Sequence, residues 1–199
     1  MYHELITEKS WRMLQDLKRQ HQFILIGGWA VYLYTKQLKS KDIDVIVAYG
    51  ELERLRKEHE LFKNDRLKKY EIHLEEIDVD VYVPYFSDLG LPIETVQKHT
   101  AQVEGFTLPR KAVLLILKQH AWHDRGHSLK GEKDRVDIIG LLNTGIDWSL
   151  YAKLVKAHNL TSHTERLREL LQKTIEVPEL NLNAHQFSRL KRKILAQLP

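Results

Sequence analysis

Apolar residues in this chain change rhythm part-way along. Up to about residue 83 they come in short runs and strict alternations, and beyond residue 109 they recur at helical spacing. Trp11, Leu14 and Leu17 follow Thr7-Glu8-Lys9-Ser10 and predict a helix over residues 7–20, with Thr7 as its capping residue. Phe23 to Ile26 predicts a short buried strand. After a glycine pair, Ala30-Val31-Tyr32-Leu33-Tyr34 continues as helix to about Gln37. Asp42 to Ala48 predicts a second strand, and Leu52 and Leu55 mark a charged helix over residues 51–60 that should cross back over the sheet. Residues 70–74 and 77–83 alternate apolar with polar side chains, the period of two more strands.

Past Pro84 the texture is mixed, with Pro92 and Pro109 as punctuation and one short strand predicted over residues 102–108. A strongly apolar helix over 110–124 follows, then a loop at 126–131 and helices over 132–142, 147–157 and 183–197. The pattern therefore predicts an α/β (α+β) lobe over residues 1–108 and a helical lobe over 109–199, without repeats or low-complexity segments.

Composition narrows the class. At 199 residues and 43% hydrophobic, the chain can bury one core, or one core with a helical appendage. It has no cysteine, which excludes disulfides and thiolate metal sites. Met1-Tyr2-His3-Glu4-Leu5 lacks a signal-peptide pattern, and no apolar run approaches the roughly 18 residues of a membrane span, so a cytoplasmic protein without a membrane partner is expected. The net charge is +4, and residues 151–199 hold nine Lys/Arg against four Glu, so the last quarter carries the whole excess. A basic segment of this kind favours polyanions such as RNA.

The chemistry concentrates where the strands are. Phe23-Ile24-Leu25-Ile26 runs into Gly27-Gly28, and fourteen residues after Gly28 come Asp42-Ile43-Asp44 inside a second apolar run. Side chains alternate along a strand, so Asp42 and Asp44 share a face roughly 7 Å apart. A cation is expected to offset their repulsion, and hard oxygen ligands suit Mg²⁺. Asp78 and Asp80 lie on the polar face of the later strand. If that strand neighbours the first, Asp80 completes a three-carboxylate site for two Mg²⁺ ions. Gly27 and Gly28 let backbone approach a phosphate, and the helix after them directs its N-terminal amides at the anion. His120, His123 and His127 are spaced three and four apart, but no acidic or thiolate partner completes a zinc set. Trp11, Trp29, Trp122 and Trp148 read as core or interface anchors.

Gly27-Gly28-Trp29-Ala30 with Asp42-Ile43-Asp44 and Asp80 resembles the signature of the DNA polymerase beta-like nucleotidyltransferase superfamily. The wording is similar to that of lincosamide and aminoglycoside nucleotidyltransferases, although those often carry Arg and His shortly before the pair and this chain has Lys39-Ser40-Lys41. Lys118 with Arg125, and Lys133-Asp134-Arg135-Val136-Asp137, resemble the Lys-x6-Arg and Lys-Asp-x-x-Asp motifs of abortive-infection nucleotidyltransferases, which include toxins of toxin–antitoxin pairs. The resemblance covers residues 23–142. It implies a short mixed sheet flanked by helices, and NMP transfer from an NTP such as ATP to a hydroxyl, with release of pyrophosphate. It also implies site roles: Asp42, Asp44 and Asp80 hold metal and act in catalysis, Gly27 and Gly28 meet the nucleotide, Lys118 contacts the triphosphate, and Lys133 and Asp137 support the nucleotide side. The expected acceptor is RNA or tRNA. A protein hydroxyl (AMPylation), a small molecule, or an inactive nucleotide-binding or interaction module that itself serves as an antitoxin-like partner are the alternatives, and an antitoxin or other protein is an expected partner.

Overall fold

A computed structural model of the chain describes residues 2–126 and 128–199, with Tyr2 and His3 as backbone only. By internal contacts it divides into two compact units, residues 1–110 and 111–199.

In the first unit the order is α1 (Tyr2–Gln20), β1 (Ile24–Ile26), α2 (Gly27–Thr35), β2 (Ile43–Ile46), α3 (Tyr49–Glu58), β3 (Phe62–Asn64), β4 (Lys69–Leu74), β5 (Ile77–Tyr82), α4 (Ile93–Lys98), β6 (Thr100–Val103) and β7 (Phe106–Pro109). The first five strands form a mixed sheet in the order β1-β2-β5-β4-β3. Only β2 and β5 run parallel; the other neighbours are antiparallel. Alternation sends Ile43, Val45, Ile72, Ile77, Val79 and Val81 into the core, each 3% exposed or less. The opposite face receives Asp44, Glu71 and Asp80 from the same three strands.

An aromatic cluster closes one side of this unit. Trp29 is buried and its Nε1 donates to Ser10 Oγ at 2.9 Å, while its ring lies 5.0 Å from that of Trp11 and 5.5 Å from that of Tyr32. Phe106 of β7 adds a ring 5.7 Å from Trp11. The residue directly after the glycines is thus a core anchor, with its one polar atom satisfied.

The second unit contains α5 (Lys111–Arg125), α6 (Leu129–Asn143), α7 (Trp148–Ala157), α8 (Thr161–Lys173), a 3-10 turn (Pro178–Leu180) and α9 (Ala184–Leu195). Ser128, Asp147 and Asn183 cap α6, α7 and α9, and Asn183 with Gln186 forms a full capping box. Arg189, Arg192 and Lys193 of α9 are exposed, while Phe187 and Ile194 are buried. Among the described residues, no helix is long and apolar enough to cross a membrane.

Several elements differ from expectation. The first helix begins at Tyr2, and Thr7 Oγ1 donates to the Glu4 carbonyl within it at 3.0 Å, so Thr7 is an interior residue and not a cap. The single strand expected over 102–108 is a hairpin, β6 and β7, turned by Glu104 and Gly105 with φ of 50° and 76°. Two consecutive positive φ angles match the twist of a two-residue hairpin turn. α8 was not anticipated, although His163, Leu167, Leu170 and Leu171 form its buried stripe. Short β3 and α4 were also missed, because three to six residues carry too little periodicity to stand out.

Ile72 in β4 packs the apolar side of the sheet directly behind the polar face. Ile72→Ala is expected to cost about 2–5 kcal/mol of stability, whereas Ile175→Ala, at a position 74% exposed, stays within about 0.5 kcal/mol. Urea denaturation of the two variants checks the contrast.

Candidate active site

The candidate site starts from one register. Parallel pairing of β2 and β5 sets Ile43 beside Val79 and Asp44 beside Asp80. Neighbouring strands lie about 4.8 Å apart, so two carboxylates face the same side at close range. On its other edge β2 pairs with β1, and Ile26 stands opposite Asp44. The chain then turns at Gly27, whose φ is +65°. A Cβ at this position would lie 2.0 Å from Asp44 Oδ2. The Asp44 carboxylate therefore occupies the space that any other residue's side chain would need, which explains glycine here better than loop flexibility does. α2 begins at this turn, and its cap residue Ile26 offers no side-chain hydrogen bond to the first amides. Those amides and the helix dipole favour negative charge in front of them.

Asp80 is part-buried and its pKa is pushed up to about 6, first by burial, then by the Asp44 charge, with Lys69 opposing. Lys69 Nζ lies 2.6 Å from Asp80 Oδ2 and 2.9 Å from Glu71 Oε1. Burial lowers the Lys69 pKa and the bonds to Asp80 and Glu71 raise it, with a net rise. Antiparallel pairing of β4 with β5 puts Glu71 opposite Asp80, and Tyr82 donates to Asp44 Oδ1 at 3.4 Å. Asp42 sits just before β2 and is part-buried. Asp78 pairs with exposed His73 at 2.8 Å and stands apart from this group.

Sequence reading missed Lys69 and Glu71. Their signal was the alternation Lys69, Glu71, His73 on one face of β4, which becomes informative only once β4 is paired with β5. Asp44 and Asp80 are brought together by the register and offer only oxygen donors, which suit a hard divalent cation, whereas among the described residues Asp42 does not join them in a set of three ligand atoms within 4.8 Å of one another.

The second unit holds the other predicted residues. Lys118 is buried, with Nζ 3.0 Å from Asp134 Oδ1 and 2.7 Å from Asp137 Oδ2. Arg125 Nη1 reaches Asp134 Oδ2 at 2.9 Å. Burial raises the Asp137 pKa, with Lys118 opposing it. Lys118 and Asp137 are thus brought together as a buried ion pair between α5 and α6, and Lys133 is part-buried on α6. The helix carrying the histidines ends at Arg125, His120 and His123 both approach Asp124, and His127 lies outside the described residues.

No family model matches the sequence, and no curated protein matches it. Solved structures do. A Helicobacter pylori protein described as a candidate nucleotidyltransferase superposes with a TM-score of 0.50 over 98% of each chain, at 14% identity. An antigenic nucleotidyltransferase-like protein from Paracoccidioides brasiliensis gives a TM-score of 0.44 at 16% identity, over 88% of this chain and 96% of that one. The polyadenylate synthase of a Megavirus gives 0.48 at 14% identity, over 71% of this chain, which spans only 31% of that enzyme. The fold, a short mixed sheet flanked by helices with a helical unit after it, is a nucleotidyltransferase-like fold.

Gly27→Ala is expected to destabilise the protein by about 1–3 kcal/mol through its positive φ, with a further loss from the Asp44 clash. Gly50→Ala, which meets nothing within 4 Å, is expected to be neutral or to stabilise by up to about 1 kcal/mol. Thermal melts of both variants, with and without Mg²⁺, check this.

Proposed function

We propose that the chain is a metal-dependent nucleotidyltransferase that moves a nucleoside monophosphate from a nucleoside triphosphate to a hydroxyl acceptor. The observation that carries the reading is the in-register pair Asp44 and Asp80, facing a glycine turn at a helix N-terminus. Asp42, Asp44 and Asp80 would hold Mg²⁺, which when bound lowers the charge on the attacking and leaving oxygens. The protein's own groups do the remainder. The Gly27-Gly28 backbone and the first amides of α2 bind phosphate oxygens. Asp80 stands at the acceptor hydroxyl, and a carboxylate with a pKa near 6 is a competent base close to neutrality. The acceptor oxygen bonds to the α-phosphorus, its proton passes to Asp80, and the bond to the β-phosphate breaks to release pyrophosphate.

We assign Lys118, Lys133 and Asp137 to the nucleotide on the motif they form in sequence. That motif is the whole support for the role, since both ion pairs of buried Lys118 are made within the helical unit. ATP as donor, RNA or tRNA as acceptor, and an antitoxin-type partner belong to the same proposal and rest on the basic last quarter of the chain and the motif likeness. A nucleotide-binding module without transfer is a second reading, favoured by the Lys69 contact, which places an internal cation on Asp80.

Incubation with α-labelled NTPs, Mg²⁺ and either small RNA or a protein extract is expected to label RNA, and an Asp42→Asn/Asp44→Asn variant is expected to label nothing. Metal-dependent NTP binding without transfer would select the module, and label in protein would replace the RNA acceptor.

A second test uses pH. Because Asp80 must be ionised to hold metal and to act, kcat/KM is expected to fall on acidification, at a pH below the metal-free value of about 6 when Mg²⁺ is saturating. Stability without divalent cation runs the other way. The folded Asp80 binds its proton more tightly than an unfolded carboxylate of pKa 3.8, so its contribution is lost as pH rises from 3.8 to about 6. Urea titrations in EDTA across this window, flattened in Asp80→Asn, check the sign.

A further inference from the structure

The C-terminal ends of α1 and α3 meet at a cluster that nucleotidyl transfer leaves unused. His21 directly follows α1, Glu58 ends α3, and His59 follows it as the cap residue. One ligand-capable atom from each of these three residues lies within 4.8 Å of the other two. The His21 side chain is 1% exposed, and its Nδ1 is 2.7 Å from Oε1 of Glu51, a side chain only 10% exposed. A carboxylate accepts and does not donate, so the Nδ1 position carries a proton. Arg54 Nη1, 3.3 Å from the other Glu51 oxygen, holds that carboxylate in place.

The opposite ring nitrogen is the informative one. Nε2 is buried and makes no hydrogen bond, although Glu58 Oε2 lies 3.3 Å away. In the neutral ring it therefore presents a lone pair next to a carboxylate, an arrangement that is repulsive until a cation lies between them. The partial negative charge of two helix C-termini adds to the demand for a cation. Spacing agrees as well. Zn–N and Zn–O bonds of about 2.0–2.1 Å put tetrahedral ligand atoms roughly 3.3 Å apart, which is the observed separation of Nε2 and Oε2.

We propose that His21, Glu58 and His59 bind a divalent transition-metal ion of the zinc class, at a site separate from the Asp42/Asp44/Asp80 carboxylates. Two imidazoles and one carboxylate select such an ion over Mg²⁺, which prefers oxygen ligands. Water completes the tetrahedron, and the ion enters past Glu58, whose side chain is 43% exposed. Glu51 acts as the outer partner that fixes the His21 tautomer and ring orientation. The bound ion ties the end of α1 to the end of α3. The site does not depend on the proposed transferase activity.

The test uses the full chain, stripped with chelator and titrated with Zn²⁺ by calorimetry and with Co²⁺ by its visible absorption. Wild type is expected to bind one ion with a tetrahedral cobalt spectrum and to melt at higher temperature with Zn²⁺. Glu58→Gln and His59→Ala, both at partly exposed positions, are expected to lose the spectrum while keeping the far-ultraviolet circular dichroism of the fold. Glu51→Gln is expected to weaken binding about 10- to 100-fold. Asp42→Asn/Asp44→Asn is expected to keep the spectrum. Absence of binding in wild type, retention of the spectrum in both Glu58→Gln and His59→Ala, or its loss only in the aspartate variant would overturn the proposal.

Discussion

The parallel, in-register pairing of β2 with β5 is the constraint on which the first unit turns. It puts Asp44 and Asp80 side by side on one face and Ile43, Val45, Val79 and Val81 on the other. Burial of the apolar side holds the register, because a slip of one residue would turn aspartates into the core and valines out of it. The same packing that stabilises the sheet thus forces two carboxylates together. The raised Asp80 pKa reflects first its burial and then the neighbouring Asp44 charge, and both favour a positive charge nearby.

Two features answer the demand from within the chain. Lys69 reaches across from β4 to pair with Asp80 and Glu71, and the N-terminus of α2 lies at the Gly27 turn beside Asp44. Gly27 has a steric duty here, since the Asp44 oxygen fills its Cβ position. The helical unit solves its own charge problem separately, with Lys118 and Arg125 compensating buried Asp134 and Asp137. Removing one partner from such a buried set is far more damaging than never having built it. Lys118 therefore holds its own unit together, whatever its part in nucleotide binding.

Much of this was legible from side-chain patterns. The alternation in residues 77–83 placed Asp80 on a polar strand face, and the run from Phe23 through the glycines located a strand, a turn and a helix. Long helices with a clear apolar stripe, such as α5, were equally plain. What failed was short or contextual. The β6–β7 hairpin has the sequence pattern of a single strand because its turn, Glu104-Gly105, resembles ordinary polar sequence until both φ angles are known. Thr7 looked like a cap and proved to be inside a longer helix. Trp29, beside the glycines, is a core residue held by Ser10.

The sequence by itself determined which residues share a face, because strand and helix periods are local properties of the backbone. It marked Asp44 and Asp80 as carboxylates on apolar strands, whereas Asp42, expected on the same strand face as Asp44, falls just before β2. Tertiary structure alone decided that β5 neighbours β2 in parallel, that Lys69 and Glu71 join Asp80, and that His21 meets Glu51, Glu58 and His59. The reason is physical. These partners come from different elements, and their meeting depends on how apolar faces pack and in which register strands pair, neither of which a local period encodes.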